Sequence, residues 1–337
     1  MGLIRYVLRR LASLIPVVLG VTFITFVLSR VLVADPARAW AGPKAPPSVV
    51  AQLAASYHLN QPIPVQYFYY MRDILLGNWG TNPIDGRSVL SEISGYFPAT
   101  LELALAAFLI TIIFGIPLGV LAALRQDKKT DHGIRFLYLA GFSSPPFFIA
   151  LLLLEVVAYY FGWLPAGGEL SALGVTPPPN ITGMIVVDSL LTGNWAAFWD
   201  SLQHLILPAT TLALLTFGLV IRVTRASMLE VSQKEFVKAS YAKGLTKRQV
   251  VTNHILRNAL ISTTTILGLI LGAFLGGAIV IESIFQWPGI GLYAVNAIDS
   301  FDYPAVMGVT FVFTLGVVLA NLLADIIYAY LNPRISL

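Results

Sequence analysis

The chain contains no cysteine. Disulfides, thiolate nucleophiles and cysteine-held metal sites are therefore excluded, and cysteine usage says nothing about redox compartment. Charge is scarce: 11% of the 337 residues are Asp, Glu, Lys or Arg, against about 25% in ordinary soluble domains. No glycine is followed by lysine anywhere. The phosphate-cradling loop G-x-x-x-x-G-K-[ST] is thus missing, and ATP hydrolysis through that motif is excluded. The histidines His58, His132, His204 and His254 are scattered, with neither an H-E-x-x-H zinc helix nor a G-x-S-x-G nucleophile turn. No catalytic residue, bound cofactor, metal site or nucleic-acid partner is expected.

What the chain has instead is apolar residues, 57% of the total, gathered in blocks. A spanning helix needs about 20 mainly apolar residues, because lipid offers no partner to its backbone. Six runs qualify: 11–33, 99–124, 134–161, 205–224, 259–281 and 305–330. The fourth is the weakest, with Pro208 near its start and Arg222 near its end. Six spans place both termini on one side. On that side fall 16 of the 21 Lys and Arg residues, which sets it as cytoplasmic. The segments 162–204 and 282–304 hold no Lys or Arg. Ala37-Arg38-Ala39 after the first run mimics a secretory cleavage site, but that run exceeds the 7–15 residues of a typical signal core. The expected division is 1–33 as the first segment and span, 34–98 as a folded outer cap rich in proline and aromatics, 99–330 as the membrane core, and 331–337 as a cytoplasmic tail.

One cytoplasmic stretch departs from the apolar norm: EFVKASYAKGLTKRQVVTNHILRNAL, from Glu235 to Leu260. Ser232 and Glu235 fit a capping box, as do Thr246 and Gln249. Gly244 fits the left-handed position that ends a helix. The spacing predicts a helix over 233–243, a tight break, and a second helix running into the fifth span. Phe236, Ala239 and Ala242 form an apolar strip beside Lys234, Lys238 and Lys243. The bland reading is a solvated loop whose charge anchors topology; two capped helices around a glycine break favour a docking element.

The stretch resembles the cytoplasmic coupling loop of permease subunits in ATP-binding-cassette importers. The match is closest to the dipeptide/oligopeptide branch: Glu235-Phe236-Val237, Ala239, Ala242-Lys243-Gly244-Leu245, then His254-Ile255-Leu256-Arg257-Asn258-Ala259-Leu260. Lys238 stands where the general motif has glutamate, and Ala239 and Ser240 take its two alanines. Arg222 to Glu230, Glu282 to Gly291 and Asp302-Tyr303-Pro304 also fit that branch in order, as do Asn321, Asp325 and Asn332-Pro333-Arg334. The resemblance implies an all-α integral membrane protein with six transmembrane helices in the type I importer fold, resident in the plasma or inner membrane. It implies a homologous second permease, two ATPase subunits that bind ATP and Mg, and an external substrate-binding protein. The coupling residues it implies are Glu235, Phe236, Lys238, Ala239, Ser240, Ala242, Lys243, Gly244 and Leu245. The implied cargo is short peptides; oligosaccharides, nickel or opines remain alternatives.

Within the spans, Glu155 is expected to face the interior or pair with another subunit. Glu102 is expected to reach water, and Asp325 to pair with a base such as Arg222. Gly268, Gly272 and Gly276 put small residues on one face of the fifth span, for packing within the subunit or against its partner. Pro145 and Pro146 predict a kink in the third span. A transporter working alone on an ion gradient would show repeats and midplane charges. One midplane acid and no clear repeat are present.

Overall fold

The structure is a computed structural model that describes residues 3–31, 35–42, 44–82 and 86–331. The side chains of Arg5, Arg9, Arg10 and Asp325, and residues 332–337, lie outside that description, so the expectations placed on them stay untested. Among the described residues everything regular is helical except one isolated bridge, Thr81 to Ser88.

The first apolar run forms α1 (Leu3–Phe26), which closes in a π-helical turn over Val27–Val31. Three short helices follow, α2 (Pro36–Ala41), α3 (Pro47–Ser56) and α4 (Ile63–Leu75), each with proline in its first turn, where the missing N–H costs nothing. α4 packs on the first run: Tyr70 and Ile74 of α4 are buried with Phe26 of α1 and Met307. The helix of the second apolar run, α5 (Val89–Ile110), starts ten residues before Ala99. Pro98 lies inside α5 and packs beneath Gly183, where a Cβ would come within 2.7 Å of Pro98 Cγ.

A π-helical turn, Thr111–Gly115, carries α5 into α6 (Ile116–Leu124). The third run is two helices, α7 (Lys129–Ser143) and α8 (Pro146–Leu153), the latter extended by a π-helical turn to Tyr160. Pro145 and Pro146 produce a full break here. Ser144 is extended, with φ −90° and ψ 138°, as a residue before proline prefers.

Beyond α9 (Ile185–Thr192), α10 runs unbroken from Trp195 to Ser232, 38 residues. The fourth run therefore extends well beyond 205–224. Asn194 caps it, accepting from Ala197 N–H, and Pro208 is buried within it without ending it. Next come α11 (Glu235–Ala242) and α12 (Lys247–Gln249), then a π-helical segment, Val250–Leu256, leading into α13 (Arg257–Gly277). The chain closes with α14 (Ile279–Phe285), α15 (Ile290–Asp299) and α16 (Tyr303–Leu331). Among the described residues, four stretches are long and apolar enough to cross a membrane as single helices: 89–124, 195–232, 247–276 and 303–323. Shorter apolar helices cover Ile15–Val31 and Pro146–Tyr160.

Helix α10 lies at the centre, its buried face packed on α5, α8, α13 and α14 around Leu103, Leu212, Phe274, Ile281, Phe285 and Trp287. Lipid is as apolar as leucine, so close packing, not water exclusion, holds such helices together. Two glycines permit it. A Cβ on Gly119 of α6 would lie 2.7 Å from Thr224 Cβ of α10, and one on Gly218 of α10 would lie 3.0 Å from the Tyr138 carbonyl of α7. Thr224 also meets Thr263 of α13, hydroxyl to hydroxyl at 3.1 Å.

Candidate functional site

The polar stretch folds as helix, break, helix. Gly244 has φ +81°, a conformation that costs an L side chain about 1–2 kcal/mol. Thr246 and Gln249 form the expected capping box: Thr246 Oγ1 accepts from Gln249 N–H, and Gln249 Oε1 accepts from Thr246 N–H at 3.0 Å. The box expected at Ser232 does not form. Ser232 closes α10, and its hydroxyl donates back to the Leu229 carbonyl at 2.7 Å. A serine at the end of a helix can satisfy a carbonyl of the preceding turn instead of capping the next. α11 therefore begins at Glu235, with extended Lys234 before it and no side-chain cap.

α11 is held on one side only. Val237 and Ser240 are its buried residues. Val237 joins Met228 and Val231 of α10, Ala123 of α6, and Val250, Val251 and Ile255 in one apolar cluster. Ser240 donates to the Phe236 carbonyl at 2.7 Å. The other face is bare: Phe236 and Tyr241 are 41% and 45% exposed, and Ala239 and Ala242 are exposed beside them. The expected strip Phe236–Ala239–Ala242 thus points away from the chain. Lys238 pairs with Glu235 at 2.7 Å, and Lys234 with Glu230 at 3.1 Å. Such exposed pairs are worth about 0.2–1 kcal/mol. Lys243 is exposed and Leu245 half-buried at the break. The geometry leaves an apolar strip and several charged side chains uncovered by the described residues.

Behind this surface lies an ion pair the sequence did not reveal. Arg225 of α10 donates two parallel bonds to Asp131 in the first turn of α7, at 2.8 and 2.7 Å. Asp131 is fully buried and also accepts from Asp127 N–H at 3.0 Å. Arg225 holds the Asp131 carboxyl below the usual carboxylate range. Arg222, the expected partner of Asp325, is exposed.

The candidates inside the spans separate. Glu155 is exposed on the π-helical end of the third run. Its neighbours Leu154 and Val157 pack on the main core, so Glu155 lies on the opposite, outward side of that turn. Glu102 does not reach water: it is 5% exposed, and its Oε1 accepts from Val186 N–H at 2.9 Å, at the first turn of α9. Gly272 faces α16, where a Cβ would lie 3.4 Å from Ala320 Cβ and Asn321 Oδ1. A Cβ on Gly276 would lie 3.7 Å from Val317 Cγ2, and Gly268 is half-buried. For Gly272 and Gly276 the packing is within the subunit.

The middle of α5 carries a second unforeseen lock. Glu282 of α14 is fully buried. It accepts from Thr100 Oγ1 at 2.8 Å, and from Gly291 and Leu292 N–H at 2.6 and 3.1 Å. A carboxylate at the N-terminus of α15 is favoured by the free N–H groups there. Trp287 Nε1 donates to the Ala99 carbonyl at 2.8 Å, so α5, α14 and α15 are tied at one point. The only local hint was the glycine pair Gly289 and Gly291; a Cβ on Gly291 would meet Ile279 Cα at 2.6 Å.

Comparison with known proteins agrees with this layout. Residues 115–337 match the family described as binding-protein-dependent transport system inner membrane component, and residues 3–104 match its N-terminal companion. The chain is 41% identical, over 97% of its length and 96% of the relative's, to the probable D,D-dipeptide transport system permease protein of Escherichia coli strain K12. It is 40% identical to the di/tripeptide transport system permease protein of Pseudomonas aeruginosa strain UCBPP-PA14, over 99% of both chains. It is 34% identical to the glutathione transport system permease protein of Salmonella choleraesuis strain SC-B67, again over 99% of both.

Proposed function

We propose, from the premise that this chain belongs to the binding-protein-dependent transport system inner membrane component family, that it is the permease subunit of an ATP-driven importer of short peptides. Peptide cargo is what the similar proteins are named for. The observation that carries the mechanism is α11: a short helix anchored by Val237, ended by left-handed Gly244, and presenting an apolar strip that this chain leaves uncovered. Two partner ATPases supply hydrolysis, a homologous second permease completes the pathway, and an external binding protein delivers the cargo. Docking of α11 on an ATPase passes nucleotide-driven closure to α10 and α13, which flank it in sequence. In this reading six spans cross the membrane, both termini are cytoplasmic, and the coupling stretch lies on the same basic side.

The test is co-purification followed by peptide uptake in proteoliposomes. The chain is expected to bring down two nucleotide-binding subunits and a sister permease. Gly244→Arg is expected to insert normally but abolish uptake, since it strains the break and places a long side chain on the docking face. Wild-type uptake by a well-expressed Gly244→Arg complex would refute the coupling role of this loop.

A further inference from the structure

A cavity of about 450 Å³ lies between the cap and the start of α16. Arg30, Trp40, Tyr57, Tyr70, Asp73 and Trp79 are among its walls. We propose that this cavity binds a small molecule carrying a carboxylate on an apolar or aromatic body, of about dipeptide size.

Arg30 is the reason for the anion. It is 9% exposed, and no described carboxylate comes within ion-pair distance of it. Its Nη1 donates to the Tyr57 carbonyl at 3.1 Å, while its Nε has no hydrogen-bond partner among the described residues. The guanidinium sits 5.3–6.0 Å from the ring centres of Phe26, Trp40, Tyr57 and Tyr70. Ring faces offset part of the cost of burying a cation, but they do not supply the counter-ion that a buried guanidinium calls for. Trp40 and Tyr70 line the same space. Trp40 is 2% exposed and Tyr70 7% exposed, and neither Trp40 Nε1 nor Tyr70 Oη has a partner among the described residues. Buried polar groups are ordinarily hydrogen-bonded. A planar guanidinium on the cavity wall without a counter-ion suits a carboxylate.

The rest of the cavity suits the body of such a ligand. Trp79 stands edge-on to Phe311, with ring centres 5.4 Å apart, and both line the cavity. Asp73 on the cavity wall is engaged by Arg72, whose Nε and Nη2 both donate to its Oδ1, at 3.1 and 2.9 Å, so the apolar body rests on the rings. The volume falls in the ordinary range for small-ligand sites, about 300–1,000 Å³, and cannot enclose two acyl chains. The proposal stands apart from the transport reading, because it concerns equilibrium binding in the cap and needs neither ATP nor a binding protein.

The test is calorimetric titration of the full-length chain in nanodiscs of uncharged lipid. The probes are Gly-Phe, Gly-Phe amide, inorganic phosphate and short-chain phosphatidylglycerol. Gly-Phe is expected to bind, and the amide at least tenfold more weakly. Arg30→Gln is expected to weaken Gly-Phe at least tenfold. Gln52→Trp, at an exposed position of α3 on the cavity wall, is expected to block it without disturbing a buried group. Equal binding of the amide, unchanged binding in Gln52→Trp, or no binding of Gly-Phe at all would each overturn the proposal. So would phosphate or phosphatidylglycerol binding in place of Gly-Phe. Either set of results leaves the uptake experiment unaffected.

Discussion

Asp131 is fully buried, yet it carries a charge, because Arg225 meets it with both arms of its guanidinium. Removing one partner of such a pair strands the other, at about 3–5 kcal/mol. Arg225 keeps 18% of its side chain exposed, which places the cost at the lower end. Asp131→Ala is therefore expected to destabilise the solubilised protein by about 3 kcal/mol, read from denaturant titration. The folded carboxyl titrates below its ordinary value, held there by Arg225. Its contribution is complete above the unfolded value, about 3.9, and is lost only as pH falls through the lower folded one. The wild type should outlast Asp131→Ala at pH 5 by as much as at pH 7. Glu169, between α8 and α9, behaves in the opposite sense: burial and then the nearby Glu102 charge push it up to about 8. Folded, it keeps a proton that the unfolded chain releases, so it destabilises increasingly from about pH 4.5 to about pH 8. Melting curves of the wild type and Glu169→Gln should coincide near pH 4 and separate, with the variant higher, toward pH 8. Neither Asp131–Arg225 nor Thr100–Glu282 was legible in the sequence, since their members lie 94 and 182 residues apart. Gly244 and the Thr246–Gln249 box were legible because their chemistry is complete within four residues.

At the scale of elements, α11 has eight residues, too few for a stable helix in isolation. It persists because Val237 is buried in the cluster at the ends of α6 and α10. Val237→Ala deletes two methyl groups and leaves a cavity, a cost of about 2 kcal/mol. That exceeds the 1.4 kcal/mol that corresponds to a tenfold change in an equilibrium. The expected phenotype is an assembled complex whose ATPases still turn over but whose peptide uptake falls at least tenfold. Uptake and hydrolysis lost in parallel would instead indicate failed assembly. The order of apolar runs was readable from composition, but element ends were not. Pro98 read as a boundary and Pro208 as a weakness of the fourth run, yet both lie inside helices, because packing around Gly183 and along α10 holds the backbone through them. Ser232 read as the start of a helix and is the end of one, because its hydroxyl turned to the carbonyl behind it.

At the scale of the molecule, central and peripheral helices differ in burial. α10 and α5 share the main core, while α11 has one face bare. Hydrogen exchange on the isolated chain should leave 205–224 protected and 235–242 exchanging quickly. Adding the ATPase subunits should slow exchange at 235–242 by at least tenfold; an unchanged rate there would place the ATPase contact elsewhere. That the protein is a multi-pass bundle was plain from its apolar blocks. Which helices touch was hidden, because crossings such as Gly119 on Thr224 depend on single missing side chains far apart in the chain.

Helix α10 has 38 residues, which at about 1.5 Å each makes a rod of about 57 Å. A bilayer with its headgroups is about 40–45 Å thick, so the rod overshoots the membrane. At one tip it meets the cluster that seats α11; near the other, Asn194 donates to the Thr176 carbonyl and Asp200 accepts from Ser171. A stiff rod gripped at both tips cannot absorb a displacement by bending in the middle. A nudge delivered below should arrive above as a tilt of the 171–200 segment, and a grip applied above should be felt below by the same geometry.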